Sequence, residues 1–297
     1  MAACRADFIV VIMLEIDKEK IIKIPFSSEL YPKEWKDLPD APSELFAYGN
    51  VELLKERKFV IVGSRRTPQS SLKLGEKIAK TLSEHFVIVT GSADGGDTSA
   101  IEGALPFGKV ICLLAGGFSA LPQGNFSLLE RIAKKGLLLS PHPFETEVRA
   151  FSYGYRNKLL AALGEGTLVL AAGEKSGTLI TAKFAQKFGK FVFAIPYPPC
   201  SEVGAGCNAL IKKGAFLTET AEDIASRFKI SLREYKKIEL TGLEFAVYEA
   251  LKERGEAHAS ELSAVTKIPV FKISAILSAL EVKGVAVPLG GNRYSKV

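Results

Sequence analysis

Phe59-Val-Ile-Val-Gly63-Ser64-Arg65-Arg66 decides the fold. Four β-favouring apolar residues in a row have no polar face, which suits a strand buried on both sides, and a glycine ends the run. The period then changes, with Leu74, Ile78 and Leu82 at helical spacing between Ser70 and Glu84. Phe86-Val-Ile-Val-Thr-Gly91 repeats the strand pattern. Outward from there, Lys109 to Gly116 reads as a third strand and Phe126 to Lys135 as a helix. Short apolar runs at Leu137–Ser140, Thr167–Ala172 and Phe191–Pro196 alternate with helical patterns near Tyr155–Leu163 and Thr178–Phe188. Apolar strands alternating with amphipathic helices predict a mostly parallel α/β sheet covered by helices on both faces.

This Rossmann-like domain is expected over residues 59–228. Residues 1–58 read as an N-terminal extension and lead-in, irregular and punctuated by Tyr31-Pro32 and Leu38-Pro-Asp-Ala-Pro42. A charged linker is expected over 229–239. In 240–297, Thr241 is placed to cap an amphipathic helix over Leu243–Lys252. Helices at Ser260–Val265 and Val270–Lys283 follow, then a hairpin turning at Gly290-Gly291-Asn292. Three helices and a hairpin predict a small winged-helix domain.

With 47% hydrophobic and 24% charged residues among 297, the chain can bury a core without disulfides or metal. Cys4, Cys112, Cys200 and Cys207 form no C-x-x-C pair, and His85, His142 and His258 are scattered, so no metal site is expected. Cys112 lies in an apolar run and reads as a reduced core thiol. The apolar run Phe8–Leu14 is too short to span a bilayer, and no cleavage site follows it. A cytoplasmic protein without membrane partners is expected. Met1 and Met13 are the only methionines, which leaves two candidate translation starts. The charge is uneven: residues 59–228 carry 19 Lys+Arg against 14 Asp+Glu, residues 1–58 carry 9 against 11, and residues 240–297 carry 7 against 6. The excess on the central domain favours a polyanionic partner there.

In parallel sheets ligands sit at the carboxyl ends of the strands, where helix N-termini attract anions. Four loops fall there. Gly63, Ser64, Arg65 and Arg66 end the first strand with a hydroxyl and two guanidiniums suited to phosphate. Around Gly91, small residues permit close approach, and Asp97 suits a helix cap or structural hydrogen-bonder better than a catalyst. Arg156, Asn157 and Lys158 open a helix beside Phe151, Tyr153 and Tyr155, on which bases could stack. Lys175, Ser176, Gly177 and Thr178 form a phosphate cradle that lacks the Walker A spacing. No G-x-G-x-x-G follows the first strand, so dinucleotide binding is disfavoured and no cofactor is expected. Arg65, Arg156 and Lys175 are expected to converge on one phosphate-sized depression.

Seven stretches in order carry a resemblance: Val60–Arg65, Thr90–Asp97, Arg156-Asn157, Ser176–Ala182, Phe193–Pro196, Gly206–Asn208 and Leu210–Ala215. Over Tyr31 to Glu219 the chain resembles the DNA-processing protein A family. The resemblance implies a core that dimerises, binds single-stranded DNA in a basic pocket and loads a RecA-type recombinase during natural transformation. It also implies a binding protein and not an enzyme, commonly with a C-terminal winged helix. Departures are Gly96 where an isoleucine is usual, Ile101 for a histidine, Leu121-Pro122 for Tyr-Pro and Ser140-Pro141 for Ser-Glu.

A rival is a nucleotide phosphoribohydrolase, whose related core carries a glycine-rich loop at Gly173–Thr178. That chemistry needs a carboxylate on the following helix, where this chain has Leu179-Ile-Thr-Ala182. An adaptor with a vestigial site is the third reading.

Overall fold

The strand at Phe59 lies in the interior of a nine-stranded sheet, with all its residues buried. The computed structural model describes residues 16–232 and 240–296. These fall into two compact units divided between Leu232 and Arg233. The apolar run Phe8–Leu14, Met13 and most of the linker lie outside the described residues.

The strands of the first unit are β1 (Ile22–Pro25), β2 (Glu44–Gly49), β3 (Lys58–Val62), β4 (Val87–Thr90), β5 (Val110–Leu113), β6 (Leu137–Ser140), β7 (Gly166–Val169), β8 (Phe191–Ala194) and β9 (Phe216–Leu217). Their order is β1-β2-β6-β5-β4-β3-β7-β8-β9. The seven from β6 to β9 are parallel, and β1 and β2 are antiparallel additions at one edge. The helices are α1 (Lys33–Lys36), α2 (Gln69–Leu82), α3 (Gly96–Ala104), α4 (Phe126–Lys135), α5 (Ala150–Leu163), α6 (Thr178–Lys187), α7 (Ala205–Lys212) and α8 (Ala221–Phe228). Alternation along β3 feeds two cores. Val60 and Val62 pack with Trp35, Leu159 and Ala182 on one face; Phe59 and Ile61 pack with Ile78, Ile101, Ile132 and Ile224 on the other. The unit is therefore Rossmann-like, with helices on both faces.

The lead-in is not irregular. It supplies β1 and β2, and Trp35 of α1 is fully buried with its indole Nε1 donating to Leu159 O at 2.9 Å. This segment is part of the sheet unit because it closes the edge at β6, which otherwise exposes unpaired backbone groups. The helix carrying Arg156 also starts earlier than its apolar pattern indicates, at Ala150, where Arg149 and Ser152 form reciprocal capping contacts.

The chain runs from β3 through β4, β5 and β6 on one side, then returns to place β7 on the other side of β3. That reversal opens a crevice beyond the carboxyl ends of β3 and β7, the usual ligand position in open α/β sheets.

The second unit holds α9 (Gly242–Arg254), β10 (Glu256–His258), α10 (Ala259–Thr266), α11 (Val270–Val282), β11 (Ala286–Gly290) and β12 (Arg293–Lys296). Thr241 and Glu244 form the capping box of α9. The hairpin turns through Gly290, Gly291 and Asn292, all with positive φ. Its second strand, β12, pairs with β10, giving a three-stranded sheet of order β10-β12-β11. Val247, Leu251, Leu262, Ile273, Leu277 and Leu280 form a separate core. The unit is winged-helix-like.

Candidate nucleic-acid interface

A cavity of about 350 Å³ occupies the crevice between the loops after β3 and β7. The β3 loop contributes Gly63, Ser64, Arg65 and Arg66; α5 contributes Tyr153, Arg156, Asn157 and Leu160; the start of α6 contributes Ser176, Gly177, Thr178 and Thr181. Each loop is held by its own bonds. Ser64 N–H donates to Ala171 O at 2.9 Å, while its carbonyl accepts from the Thr67 hydroxyl at 2.7 Å and from Gly96 N–H at 3.3 Å. Asn157 Nδ2 donates to Gly177 O at 3.2 Å, tying α5 to the α6 loop. Ser176 Oγ accepts from Thr178 N–H at 3.3 Å. The first turn of α6 therefore faces the cavity with its positive dipole end.

The inner wall is an ion pair. Arg156 is 7% exposed and Asp97 4%, with Nη1 and Oδ2 3.9 Å apart. Asp97 also accepts from the backbone N–H of Gly63 at 3.4 Å and of Ala93 at 3.3 Å. It is thus a structural hydrogen-bonder and not the cap of α3, a position held by Gly95. Burial raises its carboxyl above the ordinary carboxylate value, and Arg156 opposes that shift. Arg156 Nε and Nη1 have no hydrogen-bond partner, and neither does the hydroxyl of Thr181, 1% exposed on the same wall. Buried donors without partners are costly unless a ligand or water completes them. The outer wall, by contrast, is Arg65 and Arg66, both exposed.

Gly91 does not line this cavity; it lies behind Arg156. A Cβ there would stand 1.6 Å from Arg156 Nη1 and 2.6 Å from Asp97 Oδ2, so the guanidinium passes through the space a side chain would fill. Gly96 meets Gly63 as closely: a Cβ on Gly96 would lie 2.3 Å from Gly63 Cα, so β3 and α3 touch backbone to backbone. Cys112 is a buried thiol donating to Gly91 O at 3.3 Å, and burial pushes its pKa up to about 12.

Two expected site residues stand elsewhere. Lys158 turns away from the cavity, ion-paired with Asp40 across a tertiary contact. Lys175 lines an adjoining cavity of about 310 Å³ that shares Ser64, Arg66 and Ser176 with the first and adds Glu174, Glu202 and Val203. Arg65 and Arg156 thus converge on one depression and Lys175 on its neighbour. Arg156 sits in the second turn of α5, not at a helix start. Thr181 and the Glu202-Val203 loop were not singled out by the sequence. Thr181 lies three residues after Thr178, a helical spacing that would have placed it on the same face.

Fold and site together define a Rossmann-like module with a crevice lined by arginines, hydroxyls and a helix N-terminus at its topological switch point. The family model of DNA recombination-mediator protein A matches residues 23–229, and the chain belongs to that family. The DNA processing protein DprA of Bacillus subtilis is 37% identical over 211 residues, covering 70% of this chain and 71% of that protein. Its Streptococcus pneumoniae counterpart is 34% identical over 213 residues, 71% of this chain and 76% of that one. The X-ray structure of the S. pneumoniae protein superposes with a TM-score of 0.67, covering 70% of this chain and 74% of that one. A structure from Helicobacter pylori, titled for the single-stranded DNA binding mode of its DNA processing protein A, gives 0.62 at 32% identity over 67% of this chain and 92% of that one. Residues 235–295 match the model of the sugar-specific transcriptional regulator TrmB. No single helix among the described residues is long and apolar enough to cross a membrane.

Proposed function

We propose that this protein binds single-stranded DNA in the β3–β7 crevice, without catalysis, as a cytoplasmic factor of natural transformation. The observation that carries the reading is Arg156, a nearly buried guanidinium that lines a cavity whose rim is Arg65 and Arg66, with no hydrogen bond at Nε and only Asp97, 3.9 Å away, beside Nη1. An anion in the cavity offsets the charge that Asp97 only partly balances, and exposed arginines at the rim take the adjacent backbone phosphates. The H. pylori relative, named for single-stranded DNA binding, supports the same ligand. Gly63, Ser64, Ser176, Gly177 and Thr178 supply the neutral part of the cradle, and Lys175 extends it along the adjoining cavity. Handing the strand to a RecA-type recombinase, and acting as a homodimer with two such sites on one strand, complete the proposal.

The phosphoribohydrolase alternative has less support. The one carboxylate lining the crevice among the described residues is Asp97, engaged by two backbone N–H groups and Arg156. It is not placed to serve as a free acid or base. The deciding experiment measures binding of matched single- and double-stranded oligonucleotides across a salt series. Single strands are expected to bind more tightly, with Arg65→Ala weakening binding and lowering the salt slope by roughly one. Equal affinity for blunt duplex, or release of free base from nucleoside monophosphates, overturns the reading.

A further inference from the structure

Thr181, near the start of α6, is 1% exposed and lines the β3–β7 crevice, yet its hydroxyl has no hydrogen-bond partner. Other helical threonines of this chain donate to the carbonyl four residues back: Thr81 to Lys77 O at 3.1 Å, Thr266 to Leu262 O at 2.7 Å. The carbonyl four residues before Thr181 is Gly177 O, which accepts from Asn157 Nδ2 at 3.2 Å instead. Threonine and valine have nearly equal helix propensity, so the hydroxyl adds nothing to α6 as a helix. Unpaired in the interior it costs stability, and an apolar group of the same shape is neutral or better there.

Six buried side-chain polar atoms among the described residues lack a hydrogen-bond partner, and three of them belong to Arg156 and Thr181. These two residues line one cavity from adjacent helices, whereas Thr90, His142 and Thr167, which hold the other three atoms, do not line it. Arg156 still has Asp97 3.9 Å from Nη1. Two χ1 rotamers are open to a helical threonine, so a ligand at the inner wall can draw the Thr181 O–H toward itself. At about 350 Å³ the cavity is at the small end of ligand sites. A phosphate that reaches its inner wall brings its own sugar and base into the crevice. An unpaired strand can do so; in a duplex the base must first be unstacked and unpaired, and otherwise only the rim is met.

Resting on the single-strand reading above, we infer that Thr181 is a selectivity residue: its hydroxyl donates to a phosphate oxygen at the inner wall, a contact open to a single strand and closed to a duplex. Arg65 and Arg66, exposed at the rim, attract both forms alike. The hydroxyl is neutral, so its contact releases no counterion and leaves the salt dependence of binding unchanged.

The test compares Thr181→Val and Thr181→Ser with the parent, all as full chains. Matched single-stranded and blunt duplex oligonucleotides are titrated across a salt series, and each protein is melted without DNA. Thr181→Val is expected to weaken single-strand binding about tenfold, the loss of one hydrogen bond to a charged group, with duplex affinity and salt slope at the parent's values. Without DNA it is expected to melt at or above the parent, because a methyl replaces an unpaired hydroxyl. Thr181→Ser keeps the hydroxyl and is expected to restore single-strand binding to within about threefold of the parent. Single-strand affinity of Thr181→Val within about twofold of the parent overturns the inference, as does an equal loss for both forms of DNA. Melting more than about 3 °C below the parent also overturns it, since the hydroxyl then serves the fold. A parent with no preference for single strands refutes the functional reading and this one with it; a selective parent with an indifferent Thr181→Val refutes this one alone.

Discussion

Replacing Arg156 by alanine tests the inner wall more sharply than any change at the rim. The substitution leaves Asp97, 4% exposed, with its carboxylate held by the N–H groups of Gly63 and Ala93 and with no cation. Breaking a buried ion pair from one side costs about 3–5 kcal/mol. Two backbone donors remain and the pair is 3.9 Å apart, so the lower end, about 3 kcal/mol, applies here. For a unit of this size that is a fall in melting temperature of roughly 6–12 °C. The loss should depend on pH. Burial raises the Asp97 carboxyl, and losing Arg156 raises it further. A carboxyl whose folded pKa lies above its unfolded value loses stability as pH rises from the unfolded value through the folded one. The deficit is therefore larger at pH 8 than at pH 5. Thermal denaturation of the parent, Arg156→Ala, Asp97→Asn and the double variant at both pH values measures it. The double variant should recover part of the loss, since a neutral amide needs no cation. An Arg156→Ala protein melting within a degree of the parent at pH 8, or a double variant no better than it, refutes the account of the wall. Arg65 is exposed, so Arg65→Ala should melt with the parent.

Gly91→Ala should abolish single-strand binding as thoroughly as Arg156→Ala, because the new methyl occupies the guanidinium's place; unchanged affinity in a titration would contradict that. Lys158→Ala should leave DNA affinity within about twofold, since its charge is spent on Asp40, whereas Lys175→Ala should weaken it measurably in the same assay. Removing residues 240–297 should leave single-strand affinity largely intact, and the separate C-terminal unit should retain little DNA in a gel-shift, for α11 offers an apolar and nearly neutral face.

How much of this was legible in the sequence follows from where the information lies. β3, β4 and β5 are buried along their whole length, so their apolar runs have no other reading. β1 and β2 are different. β1 exposes three of its four residues and includes Lys23 and Pro25, so nothing in its local pattern marks a strand; its pairing with β2 makes it one. The segment Ala150-Phe-Ser-Tyr-Gly that opens α5 has no helical stripe and ends in a glycine, and the helical pattern in the sequence starts only near Tyr155. That pattern puts Arg156 at a helix opening, whereas the helix begins six residues earlier, at Ala150. The loops after β3 and β7 were legible because parallel strands send them all to one edge. Lys158 was misplaced because its partner, Asp40, is 118 residues away in the sequence.

The two walls of the crevice divide the work by burial. Arg65 and Arg66 are exposed cations, and such groups attract a polyanion at long range while losing much of their strength to salt. Arg156 is fixed before any ligand arrives. Gly91 leaves it a channel, Asp97 holds one side of it, and Tyr153 lies 5.9 Å from its guanidinium. A preset donor loses little freedom on binding, so more of its hydrogen-bond energy remains as affinity. Yet the Asp97 charge also tempers it: a bare buried cation would bind any anion, while a half-neutralised one needs the rim arginines as well. For the proposed ligand, affinity then requires both walls at once, an arrangement suited to a strand with successive phosphates. On the function proposed above, this arrangement favours a chain of phosphates over inorganic phosphate, with no contact to a base edge required.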